Sequence, residues 1–380
     1  MSPETVVLLR GLRDHPTDGV ADYCDHLREA GAPRGLCFES VEVRWASLGW
    51  RAALAELREA ARGWRDRWVL LQYTTLAWSR RGFPLRAPRV LEILRQCGAR
   101  PGVVFHDCIP LGGKGMIGAA REYCRLHVLR QLYARSDLSI FTIPVKNIPW
   151  LPARREKAVF ISIGANCPEL PSGDFRGARE TKTIAVYGVT GGVRTQSESA
   201  EIAYAVKHVS ASAGSLRLVV FGRGSREAEP ALRSALAGVN VEIDILGLVS
   251  PEQVAETLAR ADVLLFVRGQ ISGRRGSAIA GIACGLPVVC YSGPDTDWPI
   301  TEAGIVAVPQ GDRQALVSAL ENVLSDSQMR SALSARSRNA QEKYFSWAVI
   351  TEEFAAAIRK TKAEDGKKLS AGPSGAVRVA

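Results

Sequence analysis

Two adjacent arginines, Arg274 and Arg275, stand in the stretch QISGRRGSAIAGIACGLPVVCY (270–291), ahead of small residues that read as a helix starting near Gly276 and Ser277. A helix start offers unpaired backbone N–H groups and the positive end of the macrodipole. With two guanidinium groups beside it, the place could hold an anion such as a diphosphate. An ordinary strand-to-helix connection with solvated arginines would look the same. Arg194 occupies a second glycine-rich strand-to-helix turn, GVTGGVRTQ (188–196), and is another candidate phosphate contact. His106 and Asp107 close the apolar run GVVFH (102–106). A strand-end histidine can act as a base or donate a hydrogen bond, with Asp107 to orient it, and is as often structural. His15, Asp18 and Gly19 sit in a third loop, RGLRDHPTDGV (10–20), that could face a ligand.

The elements that must position these residues alternate. Short β-branched runs at 5–9, 69–73, 102–106, 138–143, 158–163, 183–188, 216–222, 241–246 and 263–267 are separated by helical patterns at 20–30, 118–135, 197 onward and 251–260. Strands alternating with helices predict an α/β fold with parallel sheets. Residues 45–68 read as one amphipathic helix carrying Trp45, Trp64 and Trp68 among arginines. Such a stripe could lie on a membrane, although packing on its own domain is the commoner use. Residues 167–182, rich in Pro, Gly, Ser and charge, predict a linker.

At 380 residues the chain can hold two domains, and its 46% hydrophobic and 23% charged residues are those of a globular protein. No apolar run is long enough to span a bilayer, which predicts a cytoplasmic protein. The eight cysteines lack metal-ligand spacing and read as reduced core residues, and no metal is expected. The net charge of +10 is unevenly placed: residues 44–157 hold 21 Lys and Arg against 8 Asp and Glu, whereas residues 158–380 hold 24 against 23. The first half therefore suits an anionic partner, or presents a solvated basic face. Nucleic acid is not expected, since no aromatic-basic RNA motif or recognition helix is present.

The segments GLVSPEQVAETLARADVLLFV (247–267), AIAGIACGLPVVCY (278–291) and TEAGIVAVPQGDRQALVSALENVLSD (301–326) resemble the donor-sugar domain of retaining family-4 glycosyltransferases. DGVADYCDHL, VVFHDCIP and SIGANCPEL resemble pieces of that family's first domain. The resemblance implies the GT-B fold, two facing Rossmann-like domains with parallel sheets and a cleft between them. Residues 1–166 would bind the acceptor and 183–343 a UDP- or GDP-sugar, with 344–359 as a helix crossing back and 360–380 as a disordered tail. By position, Gly19 and Arg194 would lie at the diphosphate, His106 near the transferred sugar, and Gly276 and Ser277 against sugar and phosphates. Backbone near Gly222 would meet the base. No cofactor is implied beyond the donor.

Two departures accompany the resemblance. The family's pair of glutamates falls on Ser272 and Ala280, and its basic pair after the first donor-domain strand is reduced to Arg194. Arg274 and Arg275 could take over phosphate anchoring, and Glu302 could substitute as a carboxylate. The expected activity is glycosyl transfer to a saccharide or lipid-linked acceptor in surface polysaccharide assembly, with peripheral contact to an anionic membrane through residues 44–157. The alternative is a GT-B scaffold that binds a ligand or partner without turnover.

Overall fold

The computed structural model describes residues 3–11, 19–109, 115–168, 181–212 and 214–370, with side chains to 363. The chain divides into two compact units: Met1–Ile161 with Ile350–Ala380, and Ser162–Val349.

Unit 1 contains β1 (Glu4–Gly11), α1 (Gly19–Gly31), β2 (Leu36–Val43), α2 (Trp45–Ala61), β3 (Trp68–Tyr73), α3 (Ala87–Gln96), β4 (Arg100–Phe105), α4 (Gly115–Arg135), β5 (Leu138–Phe141) and β6 (Ala158–Phe160). The sheet is parallel, in the order β2-β1-β3-β4-β5-β6. Helices cover both faces of such a sheet, so its central strands are apolar throughout, and Val6 to Leu9 and Val69 to Leu71 are fully buried. The edge strand β2, LCFESVEV, buries Leu36 and Phe38 and exposes Cys37 and Glu39. That mixed polarity hides it from a search for apolar runs.

The region read as one helix over 45–68 is three things. Gly49, at φ 76°, breaks α2 near its start, a single 3-10 turn covers Arg62–Trp64, and Trp68 belongs to β3. Its tryptophans turn inward: Trp45, Trp64 and Trp68 are buried, and Trp45 Nε1 donates to the Ala77 carbonyl at 2.8 Å.

Unit 2 repeats the plan with β7 (Lys182–Tyr187), α5 (Thr195–Val209), β8 (Leu216–Phe221), α6 (Ser225–Ala235), β9 (Glu242–Gly247), α7 (Pro251–Ala259), β10 (Val263–Gln270), α8 (Gly276–Ala283), β11 (Val288–Ser292), β12 (Ile305–Pro309), α9 (Arg313–Ser325) and α10 (Ser327–Ala340). Its parallel sheet runs β12-β11-β10-β7-β8-β9. In both sheets the chain leaves the first strand to one side and later returns on the other, between β1 and β3 and between β7 and β10. Open α/β sheets bind ligands outside the carboxyl ends of strands at such switch points.

The last helix, α11 (Trp347–Ser370), runs past residue 359, where the sequence reading ends it, and through the first part of the expected disordered tail. Residues 371–380, and most of the expected linker 167–182, lie outside the described residues.

Candidate functional site

The arginines of unit 2 converge at its switch point. β10 pairs regularly with β11 up to Phe266, then the register shifts before Gln270, with Gly269 at φ 70°. Irregularities of this kind re-aim side chains at the end of a strand. Here the break carries Arg268 to the loop after β7, where Gly188 sits at φ +81° and a Cβ would lie 2.9 Å from Arg268 Nη1. Glycine is required at 188 by its left-handed conformation, while the arginine tip beside it could move aside for a Cβ. At Gly224, φ +73°, glycine is required for conformation and for space, since a Cβ would meet the Val189 carbonyl oxygen at 2.1 Å.

Arg268 is the residue that spacing did not find. Burial holds its pKa below the usual arginine range; Glu198 opposes this, Arg223 adds to it, and Tyr187 opposes it. Its Nε is buried with no hydrogen-bond partner among the described residues. Arg275 is in a similar state. Burial lowers its pKa first, Arg268 and Arg274 lower it further, Asp295 opposes, and Arg194 lowers it again. Three guanidinium groups thus act on that of Arg275, which like Arg268 is partly dehydrated, an arrangement that an anion relieves.

Arg274 differs from its neighbour because its Nη2 donates to Asp295 Oδ2 at 2.9 Å. Asp295 is brought there by the loop after β11: Thr296 Oγ1 donates to the Ile271 carbonyl at 2.7 Å and accepts from Gly293 N–H at 3.0 Å. Glu302, the carboxylate singled out in the sequence, is exposed in the turn Ile300–Glu302, and among the described residues no hydrogen bond or ion pair joins it to these arginines. The carboxylate paired with this arginine group is that of Asp295.

Gly276 and Ser277 open α8, as the composition predicts, with Arg275 as the capping residue. The Arg275 carbonyl accepts from Ala278 N–H at 2.8 Å and Ile279 N–H at 3.0 Å, which leaves the N–H groups of Gly276 and Ser277 for another acceptor. Asn166 also faces this helix start. Its Oδ1 is buried without a partner and lies 4.0 Å from where a Gly276 Cβ would be. Ser272 and Ala280 are both buried, at 3% and 0% exposure, so neither reaches into the site.

The loop after β7 is otherwise occupied. Thr190 N–H donates to Glu198 Oε2 at 2.7 Å and Gly192 N–H to Glu227 Oε1 at 2.9 Å. Two of the backbone donors that a phosphate would seek are therefore engaged by the protein's own carboxylates, and Arg194 stands exposed beside them. Gly222 N–H donates to the Gly247 carbonyl at 2.7 Å, and the Gly222 carbonyl accepts from Ser225 Oγ at 2.8 Å.

In unit 1, His106 follows β4 at the carboxyl edge, but Asp107 does not orient it. Asp107 Oδ2 accepts from Thr75 N–H at 2.6 Å and so fixes the turn after β3. His106 Nε2 lies 2.9 Å from Oε1 of the buried Gln72, and its ring meets Tyr23 edge-on at 4.9 Å. Glu353 of α11 belongs to this neighbourhood, since its charge acts on Tyr23. Partial desolvation pushes the Glu353 carboxyl up to about 7. Gly19 is the first residue of α1, with nothing within 4 Å of its Cβ position, whereas His15 and Asp18 lie outside the described residues.

Two parallel α/β units of this order define a GT-B protein, and the likeness to solved structures extends over the chain. Sucrose-phosphate synthase from Thermosynechococcus elongatus is 18% identical at a TM-score of 0.67, covering 95% of this chain and 100% of that one. HepE from Anabaena, in complex with UDP and glucose, is 13% identical at 0.62, covering 94% and 100%. A putative UDP-N-acetylglucosamine 2-epimerase from Listeria monocytogenes is 11% identical at 0.62, covering 96% and 98%. At these identities the likeness concerns the fold. By sequence, residues 186–326 match the profile of the family described as Glycosyl transferases group 1. That segment runs from β7 to the end of α9 and contains Arg194, Arg268, Arg274 and Arg275. No curated protein matches the chain.

Proposed function

We propose that this protein is a retaining glycosyltransferase that moves a sugar from a nucleoside-diphosphate donor to an acceptor hydroxyl, with the donor held by unit 2 and the acceptor by unit 1. The observation that carries the reading is the arginine group at the β7/β10 switch point, within the segment matched to Glycosyl transferases group 1. The donor diphosphate would be met by Arg275 and Arg268, by the free N–H groups of Gly276 and Ser277, and by Arg194 at the rim. As the glycosidic C–O bond breaks, negative charge grows on the departing diphosphate, and fixed cations already in place stabilise it without reorganisation. The acceptor hydroxyl attacks from the face the diphosphate leaves and passes its proton to the departing phosphate oxygen, which retains configuration. His106, held by Gln72, is the unit 1 group offered to the transferred sugar. No metal or cofactor enters this scheme.

The excess of arginine in residues 44–157 supports an anionic acceptor, such as a lipid-linked saccharide at the cytoplasmic face of a membrane. One observation favours a second reading, a GT-B binding protein without turnover: no carboxylate stands at Ser272 or Ala280. Incubation with UDP-, GDP- and ADP-sugars separates the two. Release of nucleoside diphosphate, with a product of unchanged anomeric configuration by NMR, is the expected result. Tight nucleotide binding with no release from any donor would favour the second reading.

A further inference from the structure

We infer that Asn166 is a specificity residue of the donor site: its side-chain oxygen accepts a hydrogen bond from a hydroxyl of the transferred sugar. The inference rests on the donor reading above and adds to it what the arginines cannot supply. Residues 164–167 are fixed within unit 2. Trp347 Nε1 donates to the Ala165 carbonyl at 2.7 Å, and a Cβ on Gly164 would lie 2.5 Å from the Trp347 indole. Ala165 and Cys167, at 1% and 3% exposure, belong to the apolar cluster that also holds Ala278 and Ile279 of α8. With both neighbours committed to that core, Asn166 Oδ1 stands at the first residue of α8, beside Arg275.

A buried oxygen without a partner is costly and calls for an explanation. Two donors of the same site share its condition: Arg268 Nε and Arg274 Nε are buried with no partner among the described residues. The three atoms set a chemical requirement. Arginine N–H groups take an acceptor, which a diphosphate supplies, but an ionised diphosphate has no proton to give to Asn166. The nearby carboxylates are engaged, Asp295 by Arg274 and Glu198 by Thr190 N–H. Ser272 and Ala280 are buried, so hydroxyl recognition does not come from them. One ligand satisfies all three atoms if it carries both charged oxygens and hydroxyl groups, as a sugar ester of a diphosphate does. Ribose hydroxyls lie on the other side. Along the sheet edge the strands run β10, β7, β8, and Gly222, expected to meet the base, follows β8, whereas Asn166 stands at the helix that follows β10. The sugar is the part of the donor on the α8 side of the diphosphate.

The full chain is titrated calorimetrically with UDP, GDP and ADP and with UDP-glucose, UDP-N-acetylglucosamine, GDP-mannose and ADP-glucose, and again as Asn166→Leu and Asn166→Asp. Leucine keeps the shape of asparagine without its oxygen, and aspartate keeps the oxygen. Asn166→Leu should hold the affinity for the nucleoside diphosphate within about twofold and lower that for its sugar ester by about tenfold. Asn166→Asp should shift both through its charge and preserve their ratio. Because the oxygen is unsatisfied without ligand, the leucine variant should melt at or above the parent's temperature. Equal losses for diphosphate and sugar ester in Asn166→Leu, no loss of either, or a ratio lost in Asn166→Asp would overturn the inference and leave the donor reading standing. So would a lower melting temperature, which would show the oxygen bonded within the fold, or a parent that binds a nucleoside diphosphate but none of the sugar esters. Failure of all three nucleoside diphosphates to bind the parent would overturn both.

Discussion

Arg275 and Arg268 were legible to different degrees, for a physical reason. Arg275 sits in a loop before a helix start, where an arginine has a nameable role. Arg268 ends an apolar strand, VLLFVRGQ, where a charge reads only as the end of burial. Its meaning comes from the broken pairing of β10 with β11 and from a glycine eighty residues earlier, neither of which a local pattern contains. Asp295 and Glu198 were hidden in the same way, being brought in by tertiary contacts. Glu353 adds a testable consequence in unit 1. Its carboxyl is raised to about 7 in the folded protein from an ordinary value of 4.5 by partial desolvation of the carboxyl group, although the residue as a whole is exposed. The folded state therefore binds a proton more tightly than the unfolded chain. Its contribution to stability is fully present below about 4.5 and is lost as pH rises through about 7. Melting followed across that window should show stability falling with pH, and Glu353→Gln should flatten that component. An identical slope in the variant would mean that other groups set it.

At the scale of elements, the periodic signals held where strands are central and failed where faces are mixed. β3 and β4 are nearly all buried and announce themselves, whereas β2 alternates and does not. The tryptophans of 45–68 have helical spacing yet end in a helix, a 3-10 turn and a strand, because the core of unit 1 draws in each one separately. α8 shows why the missing glutamate at 280 cannot be restored by substitution. Ala280 is fully buried in an apolar cluster with Ile279, Ile282 and Leu264. Ala280→Glu should cost several kcal/mol in urea unfolding, since an unpaired carboxylate would be forced into that core. If the variant kept its stability and bound nucleotide more tightly, the packing of α8 described here would be wrong.

At the scale of the whole molecule, the fold was legible because a βαβ rhythm repeated along the chain leaves few alternatives, and the donor-domain segments carry recognisable runs. The acceptor side was less so. Its loop after β1 is distinguished by glycine and charge alone, which constrain no geometry. Among the described residues no helix is long and apolar enough to cross a membrane. The central claim, that unit 2 holds a nucleoside diphosphate on its arginines, is tested most directly by calorimetric titration of the full chain with UDP, GDP and ADP, repeated on Arg268→Ala and Arg275→Ala. One of the three nucleotides should bind, and each substitution should weaken it by about tenfold or more, the loss of one charge-assisted contact of ~1.5–3 kcal/mol. No binding of any of the three, or binding that both variants leave unchanged, would contradict the claim.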